Sequence, residues 1–198
     1  MEQTNFVFIG NHFATDFVNS RKNVKGQRTE LLHSWEDLMK WLDRSGKRDV
    51  ITGDLEQLPA AERMNLFQKT LAFRGKLEQA FITIVEERAV PVLFIADLND
   101  ELSRYRSYYQ IKEKENGITT KRFYDISQLP ALFLEEAALF LTTFKPDNLK
   151  KCENHKCILF FYDTSRNQQR RWCSMERCGN RVKVNQHYHR HKSATEEA

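Results

Sequence analysis

The chain has 198 residues, 40% apolar and 29% charged, with 7 glycines and 4 prolines; this buries one good core, or one domain and a small appendage, and excludes collagen-like, low-complexity and wholly disordered classes. No run of about 18 apolar residues occurs, which excludes a spanning helix, and the opening stretch Met1–Ser20 lacks the basic start and apolar block of a secretory signal, so no membrane partner and a cytoplasmic location are expected. The net charge of +4 hides an asymmetry: residues 145–192 carry 12 Lys or Arg against 4 Asp or Glu, whereas residues 1–144 carry 19 against 21.

In chain order, Ser34-Trp35-Glu36-Asp37 resembles a capping box. Trp35, Leu38, Trp41 and Leu42 follow at helical spacing, with Gly46 as the stop. Pro59 suits the first turn of a second helix, whose stripe Phe67, Leu71, Leu77, Phe81 and Val85 is expected to end at Pro91. Leu98, Leu102, Tyr105 and Tyr109 mark a third helix. Asn116-Gly117 lies between Tyr108–Glu115 and Ile118–Ile126, which read as the strands of a hairpin. Pro130 opens another helix with Leu132, Leu139 and Phe140 among its expected buried residues. Lys145-Pro146-Asp147 then breaks the chain and is the expected boundary between an N-terminal domain of residues 1–147 and a module of residues 148–192, followed by a short tail, 193–198.

The module reads differently. Cys152, Cys157, Cys173 and Cys178 form C-x4-C, a gap of 15 residues and a second C-x4-C. In a reducing compartment such paired cysteines point to metal ligands ahead of disulfides, and four thiolates suit one structural Zn2+. Ile158–Tyr162 is expected as one strand and Gln169–Trp172 as its returning partner, joined by a turn at Asp163–Asn167. A helix is expected from about Asn180 to His191. Knuckle, hairpin and helix give a treble-clef-like finger, and metal is the staple because so short a module buries little apolar surface. The whole reads as α+β: a largely helical N-terminal domain with one β-hairpin, plus a small four-cysteine finger.

Cys178-Gly179-Asn180-Arg181 spells C-G-N-R, after an Asp163-x-Ser165-Arg166-Asn167 turn and Arg170-Arg171-Trp172-Cys173-Ser174-Met175. Over roughly residues 149–191 this resembles the CGNR zinc-finger family in order, spacing and identity. The preceding region is similar to the ABATE domain found before this finger in bacterial proteins described as stress-induced transcription regulators. Asp16-Phe17-Val18-Asn19-Ser20 stands for that family's L-D-F-x-N-T-like opening, with Thr15 replacing the usual apolar residue and Ser20 replacing Thr. The resemblance implies a zinc-dependent nucleic-acid-binding regulator.

Four thiolates saturate a tetrahedral zinc and leave no position for water or substrate, which argues against metal-assisted hydrolysis. The basic side chains Arg166, Arg170, Arg171, Arg181, Lys183 and Arg190 are the candidate nucleic-acid contacts, since guanidinium forks match phosphate oxygens and guanine edges. Arg181, Lys183, Asn185 and Gln186 would read bases if the C-terminal helix entered a major groove. RNA is the alternative partner to DNA, with Phe160, Tyr162 or Trp172 as stacking platforms. His187 and His191 share a helix face but make a weak second metal site. His12 and Asp16, four apart, read as a local hydrogen bond. No Gly-rich phosphate loop, nucleophile elbow or cysteine nucleophile–base pair is present, so no enzyme is expected. Asp16, Asn19 and Arg74 are candidates for a pocket holding a small-molecule effector, and the N-terminal domain is the place for ligand sensing or homodimer formation. The rival from another class is a metabolite-binding or enzymatic body with a purely structural zinc finger.

Overall fold

A computed structural model describes residues 6–115 and 117–185. After residues 6–9, which have no regular structure, the chain forms a short helix α1 (Phe13–Val18), capped by His12, whose ring nitrogen accepts from the Ala14 N–H at 3.2 Å. A hairpin follows, β1 (Arg21–Val24) against β2 (Gln27–Glu30), with Lys22 opposite Thr29. This hairpin was not among the expected elements, because its strands are polar and short. Its signal is local: Lys25 at φ +50° and Gly26 at φ +87° make the left-handed turn that matches strand twist, and glycine adopts it without penalty.

Helix α2 (Trp35–Arg44) begins as expected, the Ser34 hydroxyl accepting from the Asp37 N–H at 3.2 Å, and its buried face is Trp35, Leu38, Trp41 and Leu42. The two-residue strand β3 (Ile51–Thr52) leads to the 28-residue helix α3 (Ala60–Glu87). Pro59 is its cap, outside the first turn, and the helix stops before Pro91: Arg88 turns left-handed at φ +59° while its N–H still bonds the Ile84 carbonyl. Pro91 instead caps α4 (Val92–Arg104). Tyr109, expected on that helix, lies on β4 (Tyr108–Lys114), which pairs antiparallel with β5 (Gly117–Asp125); β3 adds to the far edge of β5 in parallel. The register sets Lys114 opposite Gly117, so Gly117 is a strand residue; Asn116 lies outside the described residues. Helix α5 (Pro130–Thr143) buries Leu132 and Phe140, whereas Leu139 is 55% exposed, on the outer face.

Phe17, Trp41 and Phe133 form the aromatic centre of the core, with Phe17 and Phe133 ring centroids 4.4 Å apart. Leu77, Phe81 and Ile84 of α3 are fully buried beside them, each such side chain contributing about 1.5–3 kcal/mol through removal from water. Under the β1–β2 hairpin, Arg74 is fully buried and bonds Glu30 and Ser20; Arg21 joins Glu30 and Glu78, and Arg28 joins Glu78.

The C-terminal module departs from expectation in its strands. Strand β7 (Phe160–Tyr162) pairs antiparallel with β6 (Leu149–Lys151), upstream of the first knuckle, and not with residues 169–172. The reason lies in packing: Leu149 and Phe160 belong to the same buried core as Phe81 and Phe140, so both strands lie against the helical body. Residues 169–172 instead cross the first knuckle, with one bond from the Glu153 N–H to the Arg171 carbonyl at 3.0 Å. A π-helical turn (Met175–Gly179) leads into helix at 180–185. The remainder of the helix expected to reach His191, with Gln186, Arg190 and both His187 and His191, lies outside the described residues.

Candidate metal centre and its cationic surround

The β6–β7 pairing puts Cys152 at the end of one strand and Cys157 just ahead of the other, and the Cys152 N–H extends the ladder to the Leu159 carbonyl at 2.9 Å. Between them Asn154 shapes the first knuckle: its side-chain oxygen accepts from the Lys156 N–H and its carbonyl from the Cys157 N–H at 2.7 Å. Cys173 and Cys178 arrive on the second knuckle. There the Ser174 hydroxyl accepts from the Arg177 N–H at 3.3 Å, and the Ser174 carbonyl accepts from both Cys178 and Gly179. Gly179 is required by close approach, since a Cβ there would stand 2.6 Å from the Met175 sulfur and 3.1 Å from the Trp172 ring.

All four Sγ atoms lie within 4.8 Å of one another. Cys157 and Cys173 sulfurs are 3.7 Å apart and Cys173 and Cys178 sulfurs 3.6 Å apart. A tetrahedron of sulfurs about 2.3 Å from zinc has edges of about 3.8 Å, so the donor set fits one Zn2+. Hydrogen bonds from the Cys157 and Cys173 thiols push the Cys152 thiol down, and bonding to Cys152 pushes the Cys157 and Cys173 thiols up. Sulfurs this crowded cannot all ionise unless a cation sits among them. Val7, Leu159 and Phe161 close an apolar shell around the sulfurs, with Val7 coming from the far end of the chain.

Asp163 organises the turn between the knuckles. The buried carboxylate accepts from the Ser165 hydroxyl and N–H, the Arg170 N–H at 2.8 Å and Lys150 Nζ at 2.7 Å. Burial alone would raise its pKa, but Lys150, Ser165 and the Arg170 N–H outweigh it and hold the carboxyl at about 2. Sequence reasoning placed Asp163 in a turn motif and missed this hub; the Asp-x-Ser spacing was its signal.

Of the candidate nucleic-acid contacts, Arg166, Arg171, Arg181 and Lys183 are exposed on the finger. Arg171 pairs with Glu153 and its guanidinium carbon lies 5.2 Å from the Trp172 ring centroid; Lys183 approaches the same ring at 6.0 Å. Arg170 points inward. Its guanidinium donates to the Trp172 and Ile9 carbonyls at 2.9 and 3.1 Å and to the Cys173 carbonyl, and stacks 4.2 Å from the Phe161 centroid. It straps the second knuckle to the first segment of the chain. Arg190 lies outside the described residues.

The three residues considered for an effector pocket have internal partners. Asp16 accepts from the Gly10 N–H at 2.7 Å, and burial raises its carboxyl to about 6. Asn19 binds both backbone groups of Phe160, donating to its carbonyl at 2.7 Å and accepting from its N–H at 2.9 Å. Arg74 is taken up by Glu30 and Ser20. A cavity of about 250 Å³ lies elsewhere, lined by Phe73, Lys76, Arg104, Tyr105 and Leu134.

A cleft of about 310 Å³ opens where the β1–β2 hairpin faces the two knuckles, bordered by Lys22, Lys25, Lys156, Arg177 and Arg181. The Asn23 amide bridges the two sides through the Lys156 carbonyl at 2.9 Å. Burial, together with the Arg177 charge, pushes the Lys22 ammonium below the ordinary lysine range. The hairpin lysines were absent from the candidates drawn from the sequence, because nothing local connects residues 22–25 with the finger.

Two knuckles converging four thiolates at the side of a helical body define a zinc-finger protein. Residues 148–191 match the model of the CGNR zinc finger, and residues 11–142 match that of ABATE, described as "Putative stress-induced transcription regulator". The chain belongs to the ABATE family and carries the CGNR finger at its C-terminal side. A comparison with curated proteins found no match. No helix among the described residues is long and apolar enough to cross a membrane.

Proposed function

We propose that the protein is a non-enzymatic, zinc-dependent transcription regulator that binds duplex DNA through its finger. The carrying observation is the closed four-sulfur site on a finger whose Arg166, Arg181 and Lys183 are exposed. Zinc with four thiolates has no position left for a substrate, so its work is to hold the knuckles and present those cations. The aromatic side chains that would stack on unpaired RNA bases support DNA over RNA: Phe160 is buried at 1% exposure, the Tyr162 hydroxyl accepts from the Lys145 N–H, and Trp172 is half-buried beneath Arg171 and Lys183. The cavity beside Phe73 and Tyr105 is a better place for an effector than Asp16, Asn19 and Arg74, whose polar groups have partners inside the fold.

The test is fluorescence anisotropy of the zinc-loaded full chain with duplex DNA across a salt series. With about five phosphates neutralised, the log–log slope is expected near −4.5. Arg181→Gln with Lys183→Gln should weaken binding without changing zinc content. A flat salt response, or unchanged affinity in that variant, overturns the reading.

A further inference from the structure

We propose that the β1–β2 hairpin and the two zinc knuckles form one composite cleft that grips the phosphodiester backbone of duplex DNA, with Lys22 and Lys25 contributing from outside the finger. The inference rests on the finger's being a DNA-binding element and extends that surface to the N-terminal half of the chain.

The cleft joins chain segments that are far apart in sequence. Lys22 and Lys25 come from the hairpin, Lys156 from the first knuckle, and Arg177 and Arg181 from the second knuckle and its helix. Among the described residues lining it there is no carboxylate. Lys25, Lys156, Arg177 and Arg181 alone outweigh the net charge of −2 that zinc with four thiolates carries, so the cleft presents positive potential beyond what the metal centre neutralises. Asn23 fixes the hairpin to the knuckle backbone, which holds the two banks of cations at a set separation. A shallow groove shares Lys156 and Arg181 with the cleft and continues along the helix at 180–185, past Asn180 and Asn185, again without a carboxylate among its described residues. A run of cations continuing into a groove suits a polymer of phosphates, which is met by successive contacts along its length.

The test compares the zinc-loaded full chain with Lys22→Gln plus Lys25→Asn, asparagine being chosen because Lys25 holds φ +50° and asparagine tolerates that region. Arg166→Gln plus Lys183→Gln reports on the finger alone. Duplex DNA binding is read by anisotropy across a salt series, with inorganic phosphate and ATP titrated in parallel and zinc content and melting temperature checked for each variant. The hairpin variant is expected to bind roughly tenfold more weakly, with a log–log slope shallower by about 0.9 to 1.8, about 0.9 for each phosphate no longer neutralised. If that variant fails to fold, Lys25→Asn and Lys156→Gln, at exposed positions, carry the test singly, each with a slope change of about 0.9. Wild-type affinity and slope in the hairpin variant, with weakened binding in the finger variant, overturn the composite cleft and leave the finger's function standing. Absence of duplex binding by the wild type overturns both. Binding of phosphate or ATP in its place, abolished in the hairpin variant, assigns the cleft to a small phosphorylated ligand and equally overturns the backbone grip.

Discussion

Asn19 carries a large share of the link between the two halves of the chain. Its amide occupies both hydrogen-bonding groups of Phe160, at a site where asparagine is 1% exposed. Replacing it by alanine strands a buried N–H and a buried carbonyl, each costing about 1–3 kcal/mol, so Asn19→Ala should lose about 2–6 kcal/mol in chemical denaturation of the zinc-loaded protein. Charged residues set the response to acid. Asp163 and Glu30 both hold carboxyls at about 2. For each, burial opposes ionisation and is outweighed, for Asp163 by Lys150 and for Glu30 by Arg74. Because these folded values lie below the unfolded ones, their ionisation stabilises the fold above about pH 4.5, and that contribution is lost as pH falls toward 2. Asp163→Asn should flatten that part of a plot of denaturation free energy against pH. Asp16 has the opposite sign. Its carboxyl is raised to about 6 by burial, so its ionisation weakens the fold as pH rises through that value. Asp16→Asn keeps an acceptor for the Gly10 N–H and should stabilise the protein by about 1 kcal/mol at pH 7 and leave it unchanged near pH 3.5.

At the level of elements, helices with both a cap and a stripe were legible. Ser34 and Pro130 mark true starts, and the apolar faces of α2 and α3 are where periodicity puts them. Stops set by backbone geometry were not: the end of α3 is Arg88 in a left-handed conformation, at a residue type that gives no warning. The four ligands were legible because cysteine spacing reports metal chemistry directly. The strand pairing around them was not, because Phe160 prefers the core shared with Phe81 over a downstream partner. That pairing predicts how the finger responds to metal removal. The β7 backbone is held by groups outside the zinc site, Phe160 by Asn19 and the Tyr162 N–H by the Gly10 carbonyl at 2.8 Å. On chelation, hydrogen exchange should rise sharply at Cys157, Cys178 and Gly179 while Phe160 and Tyr162 stay protected. Equal loss at all five amides would mean that zinc, not the body, holds the hairpin.

For the molecule as a whole, the finger and the helical body share apolar surface on both sides. Leu149 and Phe160 lie in the main core, and Val7 lies among the cysteines. A fragment of residues 148–192 therefore exposes Phe160 and leaves the sulfur shell open where Val7 belongs. Even with zinc it should show no protected β-hairpin amides by NMR, whereas the full chain should; a folded fragment with native-like exchange would refute this. The strap from Arg170 to Ile9 spans 161 residues of sequence. During synthesis domains tend to fold as units from the N-terminal side; Phe6 and Phe8 can join the helical body early, whereas Val7 and Ile9 meet their neighbours only once the second knuckle has left the ribosome. Before those residues are made, Val7 lacks the sulfur-side shell and Ile9 the guanidinium that hold them in the finished fold.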